Sequence, residues 1–292
     1  MSSTLIDRQF MELIAPRQDT QDLDGDFAKF EERYRLFLEH DTVISITDNP
    51  MSHLSFMAPE MIDVLGLPVR PENAIVHLNT FHRKTDEKFE PGKEQNEQDL
   101  DILLQHALRL GIRYLLCVSG DGSDKFPSLE PQDLGFDPRT VKRVTSVQLM
   151  EYIGGAYPGR FTCGVAFNQY EPAREEMEKL ERKHQAGAGF IITQPVSMKG
   201  ESDARIVEAN RNLDAMMKYA DQNGMQVILE AWMSKKLAHL MPECVGVDIR
   251  FGDFDPWANL RDMHARYPDR KCYFSMIFGE QGLIKALEAI GA

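Results

Sequence analysis

Glu12 stands inside an apolar run, FMELIAPR, where a carboxylate is costly to bury without a partner or a task. One reading pairs it with a Lys or Arg of the core. The other makes it a general acid whose pKa is raised by apolar neighbours. Thr47-Asp48-Asn49-Pro50 closes a second apolar run, and His77, Asn79, Thr80 and His82 close a third. The two histidines lack a third residue to complete a metal-ligand set. Ser119-Gly120-Asp121-Gly122 places an acid between glycines that permit close backbone approach to a ligand; a plain turn Asp is the competing reading. Phe167-Asn168-Gln169-Tyr170 offers an aromatic ring for stacking on a flat heterocycle. Gln194 ends another run with an amide, and Glu230-Ala231-Trp232-Met233 ends the next. Acids, amides and aromatics with few fixed cations suit a flat polar heterocycle better than a bare phosphate or an acyl chain. No GxSxG, Walker A or hydrolase-type Cys/His spacing occurs, so a nucleophilic mechanism has no candidate.

The unit that positions these residues is clearest in 172–195, PAREEMEKLERKHQAGAGFIITQP. Pro172 fits the first turn of a helix, and Met177 and Leu180 mark its apolar face. Gly187 ends it, and Phe190, Ile191 and Ile192 form a buried strand that Pro195 stops. Glu176, Lys179 and Lys183 recur on one side of that helix with Arg182 beside them. They are either a solvated, ion-paired face or a grip for pyrophosphate and ribose. The alternation repeats along the chain. Strands are expected near 10–14, 43–47, 74–78, 114–118, 161–166, 190–193, 227–229 and 272–277, with helices including 25–39, 97–110, 172–186, 204–222 and 280–290. Eight such units indicate a closed (β/α)8 barrel, a TIM barrel, spanning 1–292 as one domain, with ligands at the C-terminal ends of the strands. A doubly wound open sheet is the alternative, but no GxGxxG follows the first strand. An extra run at 245–249 leaves the strand count open. The irregular stretch 121–144 reads as a lid or ligand loop, or as a plain surface excursion.

The charge of −13 over 292 residues excludes a nucleic-acid partner and docking on anionic membranes, leaving a small molecule. Cys117, Cys163, Cys244 and Cys272 form no CxxC pair and read as free thiols in a reducing cytoplasm. No apolar run approaches membrane-spanning length, and the N-terminus is too polar for a signal peptide, so a cytoplasmic location is expected.

In their order along the chain these residues resemble 5,10-methylenetetrahydrofolate reductases, flavin-dependent (β/α)8 barrels. The resemblance is carried by ELIAPR, by Ser119-Gly120-Asp121 in place of an Arg-Gly-Asp turn, by VAFNQYEPA, and above all by RKHQAGAGFIITQ. It implies that Glu12 protonates the folate as its methylene bridge opens to an iminium. It implies that Asp121 bonds the pterin and tunes the flavin, and that Gln194 binds the pterin. His77, Ser119, Gly120 and Phe167 would contact FAD, and Glu176, Lys179, Arg182 and Lys183 would hold its ribose and pyrophosphate. The implied activity is reduction of 5,10-methylenetetrahydrofolate to 5-methyltetrahydrofolate with NAD(P)H as electron donor, in one-carbon metabolism and methionine biosynthesis. Three departures stand out: Ser119 replaces an Arg, Glu230-Ala231 replaces a Pro-Gly, and the eighth strand ends in Phe278-Gly279-Glu280 without the family's usual polar ending. The alternatives are a diverged folate-binding barrel doing other one-carbon work, by methyl transfer, demethylation or reduction without tightly held flavin, and a subunit dependent on an electron-donor protein. A homo-oligomer is compatible with each.

Overall fold

Strand segments such as VISI and FIIT are apolar at nearly every position, the pattern of strands covered on both faces. In the computed structural model they form a closed barrel in the order β1-β2-β3-β4-β5-β6-β7-β8. The structure describes residues 7–50, 53–70, 72–82, 99–120, 128–198, 204–242, 246, 254–277 and 279–291. The strands are β1 (Phe10–Leu13), β2 (Val43–Ile46), β3 (Ala74–Leu78), β4 (Tyr114–Cys117), β5 (Thr162–Phe167), β6 (Ala188–Thr193), β7 (Gln226–Trp232) and β8 (Lys271–Ser275). Between them run α1 (Leu23–Glu39), α2 (Ala58–Val64), α3 (Leu100–Leu110), α4 (Ser146–Ala156), α5 (Ala173–Gln185), α6 (Ala204–Gln222), α7 (Pro256–Arg266) and α8 (Glu280–Ala289). Every strand is where the sequence puts one, within a few residues, and the alternation closes as a (β/α)8 barrel. By density of contacts the chain divides into two compact units, 1–12 with 166–184 and 189–292, and 13–165 with 185–188.

Within the first unit, β1 pairs with β8 (Phe10 with Tyr273, Met11 with Phe274). β6 pairs with β7 from Phe190–Gln226 to Ile192–Ile228, and β7 with β8 from Ile228–Lys271 to Trp232–Ser275. All these pairs are parallel. β7 runs three residues beyond the expected 227–229, so Glu230 lies inside the strand and not at its tip. The cause is the long ladder to β8, in which Glu230 faces Tyr273. β8 stops at Ser275, short of the expected Ile277, because Met276 takes a left-handed conformation (φ 57°) that no strand accommodates. α6 buries Ile206, Leu213, Met216 and Ala220 along one stripe. α7 starts on Pro256 after an Asp255 cap whose carboxylate accepts the N–H groups of Trp257 (2.9 Å) and Ala258 (3.1 Å).

Within the second unit, β2, β3, β4 and β5 pair in parallel. α3 has the start and stop signals a sequence can show. The Asp99 carboxylate accepts from Ile102 N–H at 2.9 Å, and Gly111 (φ 89°) closes the other end. α3 begins at Leu100, and residues 97–98 of the expected helix lie outside the described residues. Within the irregular stretch 121–144, a 3-10 turn forms at Pro131–Leu134, and the Leu129 N–H bonds the Thr80 carbonyl at 2.8 Å. Residues 121–127, Asp121 among them, and all of 245–249 except Gly246 lie outside the described residues. Cys117, Cys163 and Cys272 are free and buried.

Candidate functional site: two half-buried acids on the strands either side of β8

In the first unit, β1 and β8 bring Glu12 against Tyr273, whose hydroxyl donates to Glu12 Oε1 at 3.2 Å. The backbone N–H of Met276 also reaches the Glu12 carboxylate. A non-glycine residue with positive φ is strained, and here the strain turns an N–H towards an acid. Phe10, Met11 and Leu13 flank Glu12 in sequence, all at most 1% exposed, while Glu12 itself is half-buried, its carboxyl lying deeper than the rest of the residue. Burial is the leading influence on Glu12 and pushes its pKa up to about 7, with the bonds from Tyr273 and Met276 opposing. The sequence offered a cationic partner or a raised acid, and the groups acting on Glu12 are a hydroxyl and an amide.

The strand register then brings in a second acid, which its position in the sequence does not mark as catalytic. Glu230 faces Tyr273 across the β7–β8 ladder. Its carboxyl is held well above the usual range, first by burial and next by the charge of Glu12, while Ser275 acts the other way. The Ser275 hydroxyl is 1% exposed and meets no partner at full hydrogen-bond geometry, so its effect on Glu230 is that of a nearby, imperfectly aligned donor. The signal for Glu230 was available: QVILEAW sets an acid between apolar neighbours, as FMEL does.

Gln194 follows β6 beside this pair. Glu230 N–H donates to Thr193 Oγ1 at 2.9 Å, and Val196 N–H donates to the Glu230 carbonyl at 2.9 Å. The backbone of Gln194 is fixed by Phe167 O (3.0 Å) and by Gln169 Nε2 on its own carbonyl (2.9 Å). Its side chain is half-buried, and among the described residues its amide has no hydrogen-bond partner, which leaves it available to a ligand. Tyr170, whose hydroxyl donates to the Pro195 carbonyl at 2.7 Å, feels the Glu230 charge as well.

The α5 residues do something else. Glu176 is 4% exposed and accepts the Asn168 N–H at 3.1 Å. Lys179 Nζ reaches its other oxygen at 3.0 Å, and Lys183 Nζ lies 3.8 Å away while donating to the Ala166 carbonyl at 2.7 Å. Burial lowers the Lys183 pKa, with Glu176 opposing. Arg182 is exposed, its Nε bonded to the Glu178 carbonyl at 3.3 Å. Phe167 is fully buried and turns no ring face outward. Glu176 and Lys183 are engaged in closing the β5–α5 turn and Phe167 offers no ring face, while Lys179 and Arg182 keep exposed cationic ends.

In the second unit, His77 Nε2 lies 2.8 Å from Ser45 Oγ, and burial takes its pKa down to about 4, with Asp48 opposing. Asp48 Oδ2 meets His82 Nε2 at 2.7 Å and the Asn79 N–H at 2.9 Å, so the two histidines of the sequence reading have separate partners. The Ser119 carbonyl accepts from Thr80 Oγ1 at 2.9 Å, and its hydroxyl accepts from Ser146 N–H at 3.3 Å. Gly120 needs its lack of a side chain twice over: φ is 79°, and a Cβ would overlap the Phe81 ring. Gly120→Ala is therefore expected to cost roughly 2–3 kcal/mol in urea unfolding. Gly135→Ala, at the same φ of 79° but with open space around it, should cost about 1 kcal/mol. Equal losses would mean that Phe81 is free to move aside.

A surface cleft of about 460 Å³, lined by Asp214, Lys218, Asp221, Arg266, Tyr267 and Arg270, lies where α6 and α7 end and β8 begins. That is the end of β8 opposite Ser275, and the arginines there are paired with Asp214 and Asp221 at 2.6 Å. It carries none of the acids described above. Among the described residues no group of three His, Cys, Asp or Glu could hold a metal, and no helix is long and apolar enough to cross a membrane.

The fold defines a (β/α)8 barrel with an acid pair on strands β1 and β7. No family model matches the chain, and no curated protein matches it. Among solved structures it is similar in fold to an uncharacterized protein from Clostridium thermocellum that binds two copies of 5-methyl-5,6,7,8-tetrahydrofolic acid. That match has a TM-score of 0.57 and 10% identity, over 98% of this chain and 94% of that one. A 7,8-dihydropteroate synthase from Vibrio fischeri ES114 matches with a TM-score of 0.48 and 11% identity, over 100% of this chain and 96% of that one.

Proposed function

We propose that the protein is an enzyme that binds a one-carbon derivative of tetrahydrofolate and protonates it from Glu12. The observation that carries this reading is the Glu12 carboxyl. Burial brings its pKa to about 7, so it is an acid at neutral pH, and the Tyr273 hydroxyl and Met276 N–H are in place to stabilise the charge once the proton has left. A methylene bridge between two folate nitrogens opens when the departing nitrogen is protonated, leaving a cationic iminium carbon, and an anionic Glu12 beside it offsets that charge. The Gln194 amide, without a partner among the described residues, is the group we assign to the hydrogen-bonding edge of the pterin. The methyltetrahydrofolate bound by the Clostridium thermocellum protein of similar fold supports this ligand class.

Flavin-dependent reduction to 5-methyltetrahydrofolate, with FAD and NAD(P)H, is the second reading, favoured by the RKHQAGAGFIITQ run. A bound flavin would supply the hydride. The engaged side chains of α5 support the flavin-free form of the proposal.

Calorimetric titration with 5-methyltetrahydrofolate and an absorbance scan of the purified protein test both. Saturable binding is expected, weakened roughly tenfold by Gln194→Ala through loss of an amide contact of about 1.4 kcal/mol. A protein that binds no methyltetrahydrofolate at any accessible concentration ends the proposal. A flavin spectrum bleached by NAD(P)H and restored by methylenetetrahydrofolate would establish the reductase form.

A further inference from the structure

Glu230 has no part in the reading above, and with Ala231 it replaces a Pro-Gly in the family the sequence resembles. Tyr273 links it to Glu12, standing opposite Glu230 in the β7–β8 ladder and placing its hydroxyl on Glu12. The two acids differ in what meets their charge. Glu12 accepts from the Tyr273 O–H and the Met276 N–H. Among the described residues the donor acting on the Glu230 carboxyl is the Ser275 hydroxyl, and that hydroxyl, in a residue 1% exposed, is without a well-formed bond. On the loop after β5, Gln169 Oε1 is likewise unpartnered in a residue 1% exposed, next to Tyr170. The groups facing the pair are thus Tyr273, Ser275 and Met276 of the β8 segment and Tyr170 after β5, with Thr193 of β6 bonded to the Glu230 backbone. Among the described residues no positive charge acts on either acid.

Two half-buried carboxyls that feel each other's charge do not both ionise readily, and the negative charge settles on the one with more donors. We propose that Glu12 and Glu230 act as a dyad in which Glu12 gives up its proton while Glu230 keeps its own, so that the site presents an anion and a hydrogen-bond donor side by side. The Glu12 proton goes to a basic nitrogen of the ligand, and Glu12 becomes the carboxylate. The neutral Glu230 donates a hydrogen bond to an acceptor on the ligand or to Glu12. The site therefore selects a ligand with a basic nitrogen beside a hydrogen-bond acceptor. As a step in folate chemistry this rests on the function proposed above; as a protonation pattern of the unliganded protein it does not.

The experiment is infrared spectroscopy of the carboxyl C=O band in the full-length wild type, Glu230→Gln and Glu12→Gln, between about pH 5 and pH 9, where ordinary carboxyls are ionised at the upper end. In the wild type one band should fade near pH 7 and a second should persist above pH 8. The persistent band should vanish in E230Q and remain in E12Q. Its absence from the wild type, or its survival in E230Q, overturns the dyad. If E230Q does not fold, E12Q decides: a band persisting above pH 8 supports Glu230 as the holder, and no such band overturns it. Titration of the same samples with 5-methyltetrahydrofolate separates the two ideas, because a persistent band in a protein that binds no folate removes the functional reading and leaves the dyad standing.

Discussion

Glu12→Gln is expected to slow the one-carbon step by a hundredfold or more while leaving affinity for 5-methyltetrahydrofolate within about threefold. Gln keeps the shape of Glu and can still accept from Tyr273 and Met276, so the surroundings of the side chain survive and only the transferable proton is lost. The pH dependence has a definite sign. A general acid works in its protonated form, so wild-type turnover should hold below pH 7 and fall about tenfold per unit above it, following the carboxyl whose pKa is about 7. The substitution should abolish that limb. Stability gives a second readout. The folded-state pKa lies above the unfolded value of 4.5, so ionisation of Glu12 penalises the fold as pH rises from 4.5 through about 7. E12Q escapes this and should gain up to about 3 kcal/mol on the wild type at pH 8, with no gain near pH 4, in urea melts. Equal losses in binding and turnover, or an unchanged pH limb, would make Glu12 a structural acid.

The reason Glu12 could be found in the sequence is that burial is the larger influence on it, and apolar flanks report burial. Its partners could not be found. Tyr273 arrives through a β1–β8 pairing that joins the two ends of the chain, and the Met276 N–H arrives through a left-handed turn that no residue type announces. Glu230 is visible as an acid in an apolar strand, but the apolar run ends at Leu229 and so marks the acid as a tip, whereas the ladder to β8 carries the strand on to Trp232. The barrel itself was legible because eight apolar runs are separated by amphipathic segments, and local capping groups such as Asp99 and Gly111 mark where segments end. The α5 face is the converse case. Spacing of Glu176, Lys179 and Lys183 showed that the charges share a side, but whether water or protein covers that side depends on the loop at Asn168 and the carbonyl of Ala166. Those contacts turn an apparently solvated or ligand-holding face into a partly enclosed network.

That network sets the second large effect. Glu176→Ala should destabilise the protein by about 3 kcal/mol or more, because removing one member of a buried ion pair leaves the other charge without compensation. Three losses coincide. The Asn168 N–H loses its acceptor at 3.1 Å, Lys179 loses its partner at 3.0 Å, and Lys183, already pushed towards neutrality by burial and by Lys179 and Arg182, loses the one charge that opposes this. Glu176→Ala combined with Lys183→Met should recover a substantial part of the loss, since the second change removes the stranded cation and an apolar chain tolerates the enclosure. Lys183→Met alone should be milder, because Glu176 keeps Lys179 and the Asn168 N–H. Chemical denaturation of the two single variants and the double variant measures the coupling. A Glu176→Ala loss below about 1 kcal/mol would show an ordinary solvated pair. Near-native stability in Lys183→Met together with loss of a bound flavin would return α5 to the pyrophosphate grip that its sequence resembles.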